Sequence, residues 1–303
     1  MHHFSSLPVF VRVVECGSFS LAAQQLKITK SAVSKRINQL EDELGTRLLN
    51  RTTRTLSLTH AGKRYFDYAS QAVHFAQQGL DSVTELQGSP QGVLTLTAPM
   101  SFGVVYIAPL INEFIQRYPN VDIDLHLEDK VVDLVQGGYD LAIRIGELES
   151  SNLIAKRISP CKSVLCASPE YLQRYGEPQK PSDLVAHNCL RYTYFRGGQE
   201  WTFSDGTHQH KVTPKGNFAV NNSEAIRRAL LDGLGIAQMP TFIVAKDISA
   251  GKLVSVMNQY QLPLHAIYAV FPERKHMPLK VRTFIDFIED KLGTDTPKWD
   301  QTN

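Results

Sequence analysis

The apolar residues Leu7, Phe10, Val11 and Val14 keep the spacing of one helical face and predict a first helix that ends at Gly17. Ser18 or Ser20 can cap the next helix, and Ala22 and Ala23 are small enough to let it cross its neighbour closely. Only Lys27 and Ile28 separate Leu26 from Thr29, a second good cap, after which Val33, Ile37, Leu40 and Leu44 again keep helical spacing. This is a helix-turn-helix pattern whose third helix has a free outer face. That face opens with Lys30, Ser31, Ser34 and Lys35, donors suited to base edges and phosphates in a major groove; Glu41, Asp42 and Glu43 come later. The alternation from Thr55 to Thr59 predicts a short strand, and Arg51 to Arg54 a wing tip beside a nucleic-acid backbone.

Thr59 can cap a longer helix that runs to about Gln87, where Gly88, Ser89 and Pro90 stop it. Along it Phe66, Ala69, Val73, Ala76, Leu80 and Val83 alternate steps of three and four, the heptad spacing that winds two helices together. The same stripe would also serve to pack the helix on its own domain. A dimer would bring two recognition helices to successive major grooves about 34 Å apart.

From Gly92 the pattern becomes α/β. The strand GVLTLTA leads to a helix through Pro109 to Tyr118, VDIDLHL alternates as a strand, a short helix follows, and LAIRIG closes the unit. A second unit starts near Ser163 with SVLCA, a helix near Tyr171, further strands, the Asp205-Gly206 turn, a helix from about Ser223 and a strand from Gly235 to Met239. HAIYAVF and a helix from Pro278 to Leu292 read as a return to the first unit, and the polar last ten residues, with Trp299, as loose.

Lys and Arg cover most helical exteriors, so a basic helix face alone decides little, but the partition of charge does. Residues 1–64 hold 10 Lys or Arg against 4 Asp or Glu, a net of +6, while the rest hold 22 against 26, a net of −4, within an overall +2. The basic head favours DNA. At 303 residues with 43% hydrophobic, the chain can build a small DNA-binding domain and a larger one. No apolar run reaches membrane-spanning length and MHHFSSLPVF is not a signal segment, so a cytoplasmic location is expected. Cys16, Cys161, Cys166 and Cys189 lack CxxC spacing and read as buried free thiols, with a redox switch as the alternative.

GSFSLAAQQL, SAVSKRINQLEDELG, RLLNRTTRTLSLTHAG and the phrases DLAIRIGEL, LCASPEYL and LDGLGIAQMP together resemble the LysR-type transcriptional regulators over nearly the whole chain. The resemblance implies an N-terminal all-α winged helix-turn-helix (residues 1–59), a linker and dimerisation helix (60–90) and a C-terminal α/β two-lobed effector domain like the type II periplasmic-binding-protein fold (91–303). Lobe I would take about 91–160 and 266–293, and lobe II 161–265, with two connections crossing the cleft. Two positions depart from the family pattern: Leu49, where many members have Phe, and Lys30, where many have a base-reading Gln.

By this reading Ser20, Thr29, Lys30, Ser31, Ser34, Lys35, Arg51 and Arg54 meet DNA. A cleft should present strand C-termini and helix N-termini, which selects Ser101, Phe102, Arg144, Asn222 and Ser223 for a small carboxylate, phenol or quinone. Each also has a structural use, Ser223 as a helix cap and Arg144 as a partner of Asp140 or Glu147. Promoter DNA, an inducer, a homodimer or homotetramer and RNA polymerase are the expected partners, with no metal or cofactor. An enzyme fits poorly. His126-Leu-Glu128 and Pro160-Cys161 echo a zinc deaminase, but the next cysteine, Cys166, is too distant, and Gly233-Leu-Gly235 lacks the third glycine of a dinucleotide loop. An architectural DNA binder without a ligand is a third reading.

Overall fold

The computed structural model describes residues 5–51, 56–84, 88–148, 152–194, 200–272 and 277–301. They form two compact units: residues 1–90 with 132–140 and 275–279, and residues 91–131, 141–274 and 280–303.

In the first unit α1 (Leu7–Cys16) carries Pro in its first turn, where a missing N–H costs nothing, and stops at Gly17 with φ 58°. α2 (Phe19–Gln25) is capped by Ser18, whose hydroxyl accepts from Leu21 N at 3.4 Å. Lys27, at φ 53°, makes the turn into α3 (Lys30–Leu44), where Thr29 Oγ1 accepts from Ala32 N at 3.2 Å. β1 (Leu49–Arg51) pairs antiparallel with β2 (Leu56–Leu58), Leu49 opposite Leu58. α4 (His60–Thr84) starts at Thr59, whose Oγ1 accepts from Gly62 N at 2.9 Å and donates to Arg47 O at 2.7 Å. A Cβ on Gly62 would stand 1.9 Å from Leu48 O, so only glycine lets α4 begin this close to β1.

Phe10, Val13, Ala22, Val33, Ile37 and Leu40 are fully buried in one core that also takes Leu48 and Leu49. Leu at position 49 fits this core at 4% exposure. The buried stripe of α1 is wider than its spacing predicts, because α1 packs on α3 with one side and on α4 with another; Phe10 meets Tyr65 and Phe66 edge-on at 5.5 and 6.4 Å.

The second unit opens with β3 (Gly92–Ala98), followed by α5 (Met100–Phe102), a π-helical turn (Gly103–Ile107), α6 (Ala108–Arg117), β4 (Val121–Leu127), β5 (Leu141–Gly146) and β6 (Leu153–Cys161). β3 pairs parallel with β4 and β5. Between β4 and β5 the expected short helix is a single bonded turn, Gly137 N to Asp133 O at 2.9 Å, ended by Gly138 at φ 69°.

After Lys162 the chain enters lobe II: β7 (Ser163–Ala167), α7 (Pro169–Tyr175), a 3-10 turn (Pro181–Ala186), β8 (Arg191–Tyr192), β9 (Trp201–Ser204), β10 (Gln209–Val212), β11 (Ala219–Val220), α8 (Ser223–Leu231), β12 (Ile236–Pro240), α9 (Thr241–Ser249) and β13 (Val254–Ser255). β12 and β13 flank β7 antiparallel, β8 and β11 pair in parallel, and β9 and β10 form a hairpin over Gly206. β14 (His265–Pro272) then returns to lobe I between β5 and β6, antiparallel to both, and α10 (Leu279–Leu292) packs Phe284 and Phe287 on Phe114 at 4.9 and 5.3 Å. The lobe I sheet therefore runs β4-β3-β5-β14-β6.

The described part of the last ten residues is not loose. Pro297 is buried, and a 3-10 turn, Lys298–Asp300, seats Trp299 among aromatic rings. No two described cysteines are bonded to each other, and the thiols of Cys161, Cys166 and Cys189 are each pushed up to about 12 by burial. No described helix is long and apolar enough to cross a membrane.

Candidate DNA interface and effector cavity

The outer face of α3 forms a shallow trough lined by Ser31, Ser34, Lys35, Asn38, Gln39, Asp42 and Glu43. Thr29, Lys30, Ser31 and Lys35 are exposed at its N-terminal end, Ser34 is half-buried and Ser20 is exposed on α2. Ser31 Oγ lies 3.0 Å from Thr29 Oγ1, so one hydroxyl both caps the helix and steadies its neighbour. Arg51 has its backbone in β1, but its side chain and all of Arg54 lie outside the described residues.

The sequence places Glu41, Asp42 and Glu43 together after the basic N-terminal half of this helix, but Glu41 stands apart from the other two. It is buried, at 2% exposure. Its Oε1 accepts from Leu48 N at 2.9 Å and Leu49 N at 3.0 Å, and its Oε2 from Arg47 Nη1 at 2.7 Å. The recognition helix thus grips the chain that leads into the wing. Four residues after Ile37, Glu41 lies at the edge of the buried face, unlike Asp42 and Glu43, but only the turn at Gly45 brings the amides of Leu48 and Leu49 onto its carboxylate.

The stripe expected for dimerisation divides. Ala69 is 2% exposed inside the DNA-binding core, and Phe66 and Val73 pack against that core, so these three serve their own unit. Ala76 is exposed and Leu80 is 64% exposed; the Val83 side chain lies outside the described residues. A second apolar face, Tyr68, Ala72, Phe75 and Gly79, keeps steps of four, three and four, with Tyr68 and Phe75 exposed at 72% and 59%. At 100° per residue it lies roughly 120° around α4 from the buried stripe.

In the second unit a cavity of about 770 Å³ is lined from lobe I by Ser101, Phe102, Asp129, Arg144 and Glu147, and from lobe II and the crossings by Tyr192, Tyr194, Ser223, Gln238, Phe242 and His265. Ser101, Phe102, Arg144 and Ser223 stand where the sequence placed them. Asn222 does not line the cavity; its side chain accepts from Ala225 N at 3.1 Å and is the cap of α8, a role the sequence reading had held open for Ser223. Ser101 Oγ, both amide atoms of Gln238 and His265 Nδ1 are buried with no hydrogen-bond partner among the described residues. Such groups cost free energy until something pairs with them.

Asp129 binds across the cleft. Its carboxylate accepts from Met100 N at 2.8 Å on its own lobe and from the Tyr192 hydroxyl on the other. Burial pushes its carboxyl above the usual carboxylate range, against the pull of those two hydrogen bonds and the charge of Arg144. Burial, and then the charge of Asp129, push the Tyr192 phenol up. The imidazole of His265 is lowered by burial, partly offset by Glu147. Asp129 follows the C-terminal end of β4, so the rule that found Ser101 and Arg144 also reaches it; the two-residue strand holding Tyr192 gives no pattern. Among the described residues no group of three or more His, Cys, Asp or Glu is placed to hold a metal ion.

Residues 4–63 match the family of bacterial regulatory helix-turn-helix proteins of the lysR family, and residues 87–293 match the LysR substrate binding domain. The chain is 37% identical over 291 residues to the HTH-type transcriptional regulator CrgA of Neisseria meningitidis, covering 95% of this chain and 97% of that protein. It is 36% identical to the probable HTH-type transcriptional regulator LtrA of Klebsiella pneumoniae, covering 94% of each. The full-length structure of the Vibrio cholerae virulence activator AphB, a member of the LTTR protein family, superimposes with a TM-score of 0.65 at 30% identity, covering 94% of this chain and 97% of that one. With a winged helix-turn-helix in one unit and a two-lobed cavity in the other, this chain belongs to the LysR family of transcriptional regulators, whose members join a DNA-binding domain to a ligand-binding one.

Proposed function

We propose that this regulator binds an interrupted inverted repeat at promoters as a dimer or dimer of dimers, and that a small molecule in the cavity changes how it bends or contacts that DNA. The observation that carries the DNA half is the face of α3: polar and basic at its N-terminal end, anchored from behind by three fully buried apolar residues, Val33, Ile37 and Leu40. Thr29, Lys30, Ser31, Ser34 and Lys35 are assigned to the major groove, Ser20 to the flanking backbone, and Arg51 and Arg54 to phosphate or the minor groove. In the cavity, Ser101, Arg144 and Ser223 are assigned to the polar end of the inducer and Phe102 to its flat apolar part, which suits a small aromatic carboxylate, phenol or quinone. RNA polymerase is a further partner this reading allows.

Replacing both Ser34 and Lys35 with Ala tests it. Specific binding should weaken by roughly 2–5 kcal/mol at most, with circular dichroism unchanged. Gel-shift titration against a site recovered by genome-wide footprinting reads the effect, and undiminished affinity would put another face on DNA.

A further inference from the structure

The 3-10 turn that follows α10 leaves lobe I and packs on α9 of lobe II. The Trp299 ring lies 4.6 Å from Tyr106 and 6.0 Å from Phe102, both on the lobe I side, and 6.3 Å from Phe242 at the start of α9. All three contacts are edge-on, at 65°, 89° and 70°. Phe102 and Tyr106 stack at 5.1 Å, Phe102 meets Phe242 at 5.2 Å, and the Tyr106 hydroxyl donates to Phe242 O at 3.3 Å. The four rings are therefore one cluster that spans both lobes.

Two of those rings, Phe102 and Phe242, are walls of the effector cavity, whereas Trp299 does not line it. Beside the indole, the Asp300 side chain is 5% exposed and reaches to 4.0 Å from Lys162 Nζ, the residue joining β6 to β7 where the chain crosses between lobes. The indole N–H has no acceptor among the described residues, so packing holds the ring. Edge-on aromatic pairs of this kind contribute beyond their buried area, and their geometry limits how the partner rings can turn.

We propose that Trp299 is a positioning residue of the effector cavity: it wedges the ring pair Phe102 and Phe242 from behind and so fixes the distance between the lobes on which effector response depends. The inference rests on the cavity being the effector site. Ligand that moves Phe102 or Phe242 must then also move the segment after α10.

The test reads lobe separation directly in the full chain and needs no ligand. Spin labels at Ile154→Cys on lobe I and Arg174→Cys on lobe II, in a Cys16→Ser background, report the distance distribution by pulsed electron resonance. Trp299→Ala should broaden or shift that distribution, and Trp299→Phe should restore much of the parent profile, because a ring still meets the cluster edge-on. If Trp299→Ala fails to fold, Trp299→Leu, which fills part of the space without a ring, should show the same broadening. A distribution unchanged in whichever of these variants folds overturns the proposal. A reporter in which Ser101→Trp abolishes induction while Trp299 variants leave lobe separation unaltered would keep the effector reading and remove Trp299 from it.

Discussion

Glu41 and Asp129 are carboxylates in opposite circumstances. The Glu41 carboxylate is buried and accepts three donors, so Glu41→Ala would leave the amides of Leu48 and Leu49 without their acceptor, while the exposed Arg47 guanidinium would turn to water. Unpaired buried donors cost about 1–3 kcal/mol each, and the DNA-binding unit should lose about 3 kcal/mol in urea unfolding, with Glu41→Gln losing less because it keeps one acceptor oxygen. Asp129 is held above its ordinary value of 3.8. The folded protein then binds a proton to higher pH than the unfolded chain, so this group's contribution is most favourable below the unfolded value and falls as pH rises through the folded one. Asp129→Asn still offers an oxygen to Met100 N and Tyr192. Chemical denaturation of the variant should show greater stability at neutral pH and a flatter profile above the ordinary carboxylate value of 3.8 than the parent. A loss of stability at neutral pH would mean that the charge pairing with Arg144 outweighs burial.

At the scale of elements, helix α4 divides its surface between two tasks. Its N-terminal half holds Phe66, Ala69 and Val73 on the DNA-binding core, while Tyr68, Phe75 and Leu80 face outward. Replacing Tyr68 and Phe75, one heptad apart on the second exposed face, with Glu would set like charges against each other if that face pairs two helices. Sedimentation should then give monomers with reduced operator affinity, whereas Val73→Glu should lower the melting temperature of the DNA-binding unit first. The heptad steps from Phe66 to Val83 were legible in sequence because apolar spacing survives any packing partner. Which face meets which neighbour was not, since both faces of α4 are apolar and only the position of α1 assigns them. The caps at Thr29 and Thr59 were legible too, for a local reason: one side chain bonds an amide three residues on. β1, β8, β11 and β13, of two or three residues each, are too short to show alternation, and β8, β11 and β13 exist only because a distant partner strand aligns them. The role of Glu41 was not legible either, because its donors at 47–49 reach it only once the chain turns at Gly45.

For the whole molecule, the proposed operator-reading face and the proposed effector cavity fall in different compact units. Coupling between them is then a difference in ligand affinity between two arrangements of the assembly. Ser101→Trp or Arg144→Ala should therefore abolish induction of a reporter and leave operator binding in gel shifts nearly intact, at matched protein levels. A normal dose–response in both variants would remove these residues from the site. Joint loss of induction and operator binding would point to misfolding, which circular dichroism checks. Ser101 and Arg144 were found by a rule about where strands end in α/β folds; Gln238, Phe242 and His265 gather only when the chain crosses twice between lobes.

The seat of β14 between β5 and β6 also sets an order on synthesis. Lobe II is one continuous run of chain, complete before β14 leaves the ribosome, and can close its core while translation continues. Lobe I cannot. Until residue 272 emerges, β5 and β6 each present an unpaired edge, and the surface that α10 will cover stays open to water and to other chains. A chain that ends after lobe II but before β14 therefore carries a half-built lobe I sheet whose β5 and β6 edges are free to pair with those of its neighbours.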